Sequence, residues 1–152
     1  STLMRSSAAS DVYKRQAMKR CVVKLDNKKA SSKLTRWQGI AEAAAKQSKR
    51  GIIPQITKVM AFEQALEYSS TAQVRLVPYE LAEGMDRTRE IIEQIQPGQD
   101  IAVFIGPEGG FDEAEIGKVI EAGTQPITLG KRILRTETAG MTVLSILMYH
   151  LE

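Results

Sequence analysis

The stretch Ile105-Gly106-Pro107-Glu108-Gly109-Gly110-Phe111 follows a short, mostly apolar run from Asp100 to Ile105 that is typical of a buried strand. Its glycines and proline allow the tight turning and close backbone approach that a binding loop needs. Asp112 then stands where it can cap the N-terminus of a helix that begins near Glu113. The sequence therefore predicts a binding loop between a strand and a helix.

A second segment of the same kind is Leu129-Gly130-Lys131-Arg132-Ile133-Leu134-Arg135-Thr136-Glu137-Thr138-Ala139, which follows the apolar run from Gln125 to Leu129. Open α/β sheets bind their ligands at the carboxyl ends of strands, so the two loops are expected to meet over one ligand. The first loop lacks the G-x-G-x-x-G spacing, and Gly130-Lys131 is followed by Arg132, not by serine or threonine. A phosphate-cradling nucleotide site is therefore disfavoured.

Strands and helices alternate along the chain, which predicts an α/β fold with a mainly parallel sheet covered by helices on both faces. An amphipathic helix is expected between a polar loop that ends at Ser32 and Gly51, which closes it. The other predicted strands are Met18 to Leu25, Gln55 to Thr57, Gln73 to Val77, Asp100 to Ile105 and Gln125 to Leu129, and the other helices are Ala61 to Tyr68, Arg87 to Ile95, Glu113 to Glu121 and Glu137 to Leu151.

Residues 1–17 are rich in serine and alanine and show no apolar periodicity, so they are expected to be a disordered or artefactual leader. Residues 18–152 then form one domain, since 152 residues with 43% hydrophobic composition can bury a single core.

Composition narrows the function classes. The chain has a single cysteine, Cys21, which excludes an internal disulfide framework and a multi-cysteine metal site. It also has a single histidine, His150, which excludes a histidine-rich metal site. No metal is therefore predicted. Without a membrane-length apolar run or a secretory h-region, the cytosol fits best. A net charge of +3 is compatible with RNA without requiring it.

Together with the segment from Arg36 to Arg50, IGPEGGFDEAEI and LGKRILRTETA resemble the RsmE family of the SPOUT superfamily. The resemblance runs from about Lys19 to the C-terminus. It implies methylation of uracil N3 in 16S ribosomal RNA, with S-adenosylmethionine as cofactor and free RNA or the small ribosomal subunit as substrate. It also implies a homodimer.

The same resemblance implies a SPOUT-type open sheet whose last helix is threaded into a C-terminal trefoil knot. The family's N-terminal PUA-like barrel, and the first strand and helix of its methyltransferase domain, have no counterpart in this sequence. The chain is therefore expected to be an N-terminally truncated member that retains the cofactor site.

The resemblance implies a role for each residue that occupies a functional position of the family's motifs. Arg135 is the candidate cation that favours the uridine anion, and Glu108 or Glu137 is the candidate base. The alternative for Glu108 is a hydrogen bond that fixes its loop, and for Glu137 it is compensation of the helix dipole. The expected cofactor-binding residues, acting mostly through backbone atoms, are Leu76, Ile105, Gly106, Gly110, Leu129, Gly130, Ile133, Leu134 and Thr136.

Gln47 and Arg50 belong to the upstream motif and are candidates for RNA or dimer contact, although a solvated helix face explains such residues equally well. His150 is expected at the surface or at an interface. Two other functions stay open: a SPOUT ribose 2′-O-methyltransferase, against which LGKRILRTETA argues, and a non-catalytic RNA-binding or cofactor-binding remnant.

Overall fold

The computed structural model describes residues 2–6, 11–17, 27–80, 82 and 84–152, with side chains from residue 31 onward. In this part of the chain none of the helices has both the length and the apolar character needed to cross a membrane. The elements are β1 (Thr2–Ser6), β2 (Asp11–Ala17), α1 (Asn27–Gln47), β3 (Gln55–Ala61), α2 (Phe62–Ser69), β4 (Val74–Pro78), α3 (Met85–Glu93), β5 (Ile101–Ile105), α4 (Glu113–Glu121), β6 (Gln125–Ile127) and α5 (Thr136–Leu151).

The strands form one sheet in the order β3-β2-β1-β5-β4-β6. β1 is antiparallel to both of its neighbours, β2 and β5. The pairs β2 with β3, β4 with β5, and β4 with β6 are parallel. The predicted α/β class with a mainly parallel sheet is therefore confirmed.

β5 is the centre of the core, since all five of its residues are buried. Successive side chains of a strand point to opposite faces, so β5 divides its residues between two hydrophobic clusters. Val103 packs in one cluster with Ile91 of α3 and Leu147 of α5. Phe104 packs in the other with Phe62 of α2 and Val119 of α4. Helices therefore cover both faces of the sheet where β4 and β5 run side by side.

Residues 2–6 and 11–17 differ from the predicted disordered leader, because both form strands of the sheet. β1 pairs with β5 in a register that places Met4 opposite Val103. The physical reason is that β5, paired with β4 on one side only, offers unpaired backbone groups that an extended segment can satisfy. The predicted strand from Met18 to Leu25 lies outside the described residues. The artefactual origin of 1–17 and the truncation of 18–152 stay predictions.

The predicted bounds of the first helix were wrong. α1 includes residues that were expected in a polar loop before Ser32, and it ends at Gln47. Its end is a Schellman motif, in which Arg50 N donates to Ala45 O at 3.0 Å and Lys49 N donates to Lys46 O at 3.3 Å. Lys49, with φ 57°, takes the left-handed position that had been assigned to Gly51.

The outer strand β3 is held against α1 by one side chain. Ile56 N donates to Gln38 Oε1 at 2.8 Å, and Gln38 Nε2 donates to Pro54 O at 3.2 Å. One amide thus satisfies two backbone groups at the edge of the sheet. β3 itself extends to Ala61, four residues beyond its predicted end at Thr57.

Replacement of Ile127 tests the core at the last strand. Ile127 is 1% exposed, so Ile127→Ala should lower the free energy of unfolding by about 2–5 kcal/mol through lost burial and the cavity left behind. Ile120→Ala is the matched control, because Ile120 is 44% exposed on α4 and its truncation should cost less than about 1 kcal/mol. Urea denaturation measures both, and equal losses would contradict this description of the core.

Candidate functional site

A cavity of about 380 Å³ lies at the carboxyl ends of β4, β5 and β6. Three chain segments line it, residues 78–80 after β4, 105–111 after β5 and 128–134 after β6, together with Ala139 of α5. The structure thus brings the two motif loops together around one space. Its volume falls within the range of small-molecule pockets, about 300–1,000 Å³.

One side-chain hydrogen bond joins the two motif loops. Thr136 Oγ1, at the start of α5, donates to the carbonyl oxygen of Gly106 at 3.0 Å. The first turn of α5 is closed by Ala139 N, which donates to Arg135 O at 2.8 Å. The N-terminus of the last helix is therefore tied to the loop that leaves the central strand.

The loop after β5 is shaped by a tight turn and a helix cap. Gly110 N donates to Pro107 O at 2.9 Å, and Gly110 has a φ of 70° that favours glycine. Asp112 Oδ1 accepts from Glu115 N at 2.7 Å, while Glu115 Oε2 accepts from Asp112 N at 3.1 Å. This capping box confirms Asp112 as the N-cap of α4.

The loop after β6 is positioned from α3. The buried hydroxyl of Thr88 accepts from Thr128 N at 2.9 Å. Thr128 Oγ1 lies 3.3 Å from both the amide nitrogen and the carbonyl oxygen of Gly130, which has a φ of 110°. Sequence reasoning missed Thr88 and Thr128, because a threonine on an amphipathic helix or at a strand end gives no signal of a long-range contact.

Seven of the nine predicted cofactor-binding residues line the cavity, namely Ile105, Gly106, Gly110, Leu129, Gly130, Ile133 and Leu134. Leu76 does not, because it is fully buried in the cluster with α3 and α5, two residues before the lining begins at Pro78. Thr136 is outside the lining as well and instead holds Gly106. The roles of all nine stay predictions.

The three candidate catalytic residues are separated. Glu108 lines the cavity from the loop after β5. Arg135 is the exposed N-cap residue of α5 and Glu137 lies exposed in its first turn, and neither lines the cavity. The position of Glu137 favours compensation of the helix dipole. Sequence reasoning did not single out the two cations that do line the cavity, Lys131 and Arg132.

The remaining candidates lie elsewhere. Gln47 and Arg50 are exposed at the end of α1 and do not line the cavity. His150 is partly buried, and its Nε2 lies 3.0 Å from the carbonyl oxygen of Ile95, two residues after the end of α3. Within the described residues no three histidine, cysteine, aspartate or glutamate side chains come together as metal ligands would.

Comparison with known proteins identifies the family. Residues 15–148 match the family model of an RNA methyltransferase domain. The ribosomal RNA small subunit methyltransferase E of Bacillus subtilis is 38% identical over 136 residues, which are 88% of this chain and 53% of that protein. The chain belongs to the RsmE family. The RsmE protein of Mesomycoplasma hyopneumoniae is 40% identical over 113 residues, covering 74% of this chain and 47% of that protein. The family predicted from the motifs is confirmed.

Solved structures of two methyltransferases share the fold. A Legionella pneumophila methyltransferase in complex with S-adenosylmethionine has a TM-score of 0.79 and 33% identity, covering 88% of this chain and 53% of that one. The RsmE protein of Neisseria gonorrhoeae, bound to the same cofactor, has a TM-score of 0.72 and 32% identity, covering 90% of this chain and 53% of that one. The chain thus spans about half the length of these relatives.

A methyl group added at Gly106 tests the packing of the β5 loop. The added Cβ would lie 3.1 Å from two ring carbons of buried Phe111, so the ring must shift. Gly106→Ala should lower the free energy of unfolding by about 1–3 kcal/mol through overpacking. Gly117→Ala is the matched control, since its Cβ meets nothing within 4 Å inside α4, and it should stabilise by up to about 1 kcal/mol. Urea denaturation giving the same sign for both would refute this account.

Proposed function

We propose that the cavity binds S-adenosylmethionine and that the protein transfers its methyl group to N3 of a uridine in 16S ribosomal RNA. The observation that carries the proposal is the construction of one cavity from both RsmE motif loops, joined by the hydrogen bond from Thr136 to Gly106. It is supported by the RsmE-like structures that contain this cofactor.

The lining suits a nucleoside cofactor. Gly106, Gly110 and Gly130 have no side chains, so a ligand can approach their backbone closely, and Leu129 and Leu134 supply an apolar surface for adenine. We assign Ile133 to the cofactor through its backbone atoms, and its side chain is 83% exposed. We also propose that α5 forms the C-terminal trefoil knot that the family resemblance implies.

The chemistry assigned to the chain is deprotonation and charge stabilisation. When bound, S-adenosylmethionine supplies an electrophilic methyl group on a sulfonium. Glu108 is the better-placed base, because it lines the cavity and Glu137 does not. It would take the N3 proton of uracil as N3 forms its bond to the methyl carbon and the carbon–sulfur bond breaks. Arg135, at the N-cap of α5, would stabilise the uridine anion when RNA covers the loop.

Association as a homodimer in the cytoplasm completes the proposal. Met141, Met148 and Tyr149 are 62%, 55% and 92% exposed on α5. Spacings of seven and eight residues place them on one face of the helix, so the three form an exposed apolar stripe. Such a surface fits an interface between two copies, consistent with the dimer that the family resemblance implies. RNA contact by Gln47 and Arg50 stays a proposal too, since both are exposed.

One observation favours a second function, a cofactor-binding remnant without activity on RNA. The chain spans about half the length of its relatives, so their activity on RNA does not carry over to it without a measurement. Binding and turnover must therefore be measured separately.

Calorimetric titration with S-adenosylhomocysteine tests the cofactor site. We expect saturable binding to the wild-type chain and weaker binding to Gly106→Ala, because Gly106 lines the cavity and its added methyl group would press on the Phe111 ring that also lines it. Gly117→Ala should bind within about twofold of the wild type. The absence of wild-type binding by a folded protein would refute the proposed cofactor site.

Transfer of labelled methyl groups to 16S ribosomal RNA then separates enzyme from remnant. Product mapping to uridine N3 is expected, whereas a 2′-O-methylated product would identify the ribose reaction. Arg135→Ala and Glu108→Gln should lower turnover more than tenfold with S-adenosylhomocysteine affinity retained. Binding without turnover would favour the remnant.

A charge placed on α5 tests the dimer. Met148→Glu puts a like-charge pair into a two-fold apolar interface, so sedimentation should show a shift from dimer towards monomer. Ile120→Glu, at an exposed position of α4, is the matched control and should leave the oligomeric state unchanged. A monomeric wild type would overturn the dimer assignment.

A further inference from the structure

The loop after β6 is a basic, partly apolar rim on one side of the cavity. Lys131, Arg132 and Arg135 are exposed, and none forms a salt bridge with another described residue. Ion pairs do occur among exposed side chains elsewhere, as between Arg89 and Asp86 at 2.7 Å. The rim thus keeps its positive charge available for an external anion.

The other walls of the cavity have the opposite charge. Glu80 and Glu108 lie on the segments after β4 and β5, whereas Lys131 and Arg132 lie on the segment after β6. A polyanion approaching the mouth is repelled by the carboxylates and attracted by the cations. Its backbone is therefore directed to the β6 side, across residues 131–135.

Ile133 is an unusual neighbour for these cations. Its side chain is 83% exposed, while the next residue, Leu134, packs against the core cluster of α3 and α5. The loop therefore buries one aliphatic side chain and presents the adjacent one beside the mouth. A base methylated at N3 must leave its stack to reach the cofactor, and exposed aliphatic side chains serve as wedges against unstacked bases.

We propose that residues 131–133 are an RNA-contact element of the methyltransferase site, in which Lys131 and Arg132 bind phosphates beside the target nucleotide and Ile133 packs against an unstacked base. The inference rests on the proposed function, because it names the part of the chain that holds the substrate of that same cavity. In this proposal the backbone of Ile133 contacts the cofactor and its side chain contacts RNA.

Filter binding of 16S ribosomal RNA to the full chain between 50 and 200 mM KCl tests the phosphate contacts. K131Q/R132Q should weaken binding and reduce the slope of log affinity against log salt by about 1 to 2, since each lost phosphate contact removes about 0.7 to 0.9 from the slope. R87Q/R89Q removes the same two charges from the exposed face of α3, and this matched control should leave the slope unchanged. An unchanged slope in K131Q/R132Q would refute the phosphate contacts.

Ile133→Ser tests the base contact. It should weaken RNA binding about five- to tenfold at every salt concentration with an unchanged slope, and Ile133→Leu should restore the affinity. Ile120→Ser is the control for loss of an exposed isoleucine. Unchanged RNA affinity, whether accompanied by weaker S-adenosylhomocysteine binding or by loss of a dimer, would overturn the assignment of Ile133 to RNA.

The two proposals can fail separately. The RNA titration contains no cofactor, so a wild type that binds RNA through this element without binding S-adenosylhomocysteine refutes the proposed function alone. A wild type that binds S-adenosylhomocysteine and methylates RNA, while K131Q/R132Q and Ile133→Ser bind RNA with unchanged affinity and salt slope, refutes the RNA-contact element alone. The control variants R87Q/R89Q and Ile120→Ser lie outside the cavity lining and should bind S-adenosylhomocysteine within about twofold of the wild type.

Discussion

The hydrogen bond from Thr136 Oγ1 to Gly106 O is the constraint on which the site depends. It connects a loop fixed by the central strand to the first residue of the last helix, thirty positions later in the chain. The Asp112 cap further positions the loop after β5, and the Thr88 hydroxyl further positions the loop after β6. The cavity is therefore a product of long-range contacts, although every residue that lines it comes from short, local segments.

The two faces of the sheet contribute differently to this arrangement. α3 and α5 pack on the face that carries Val103 and supply both Thr88 and Thr136. α4, on the opposite face, contributes the capping box that ends the β5 loop. A displacement of α3 would thus reach the cavity through the Thr88 hydroxyl, and one of α5 through Thr136 and through Ala139 on the cavity wall. A change in α4 would act through the capping box at Asp112.

Local sequence signals predicted most of the fold from β4 to α5, because strands with continuous apolar runs and helices with clear caps need little tertiary information. Asp112 is the clearest case, since its cap was predicted and observed at one position. The end of α1 was mispredicted because Lys49 adopts a left-handed conformation that sequence patterns assign to glycine. The pairing of β1 with β5 was missed because edge pairing depends on a free strand edge, which no local pattern encodes.

In the site, too, sequence predicted what local motifs determine and missed what depends on the tertiary structure. Motif position placed seven cofactor candidates on the cavity, but Leu76 was assigned to it although the strand turns that side chain into the core. Lys131 and Arg132 resemble any solvated charges in sequence, and only their place on the cavity wall distinguishes them.

The amide of Gln38 has a consequence for how this protein can associate. By taking up Ile56 N–H and Pro54 C=O, it turns an open sheet edge into a surface where an incoming strand finds fewer free partners. Pro126, in the strand at the opposite end of the sheet, brings no N–H at all. Growth of the sheet from copy to copy, the route to fibrillar aggregates, is thus discouraged at both ends, and contacts between helices remain the open geometry for assembly.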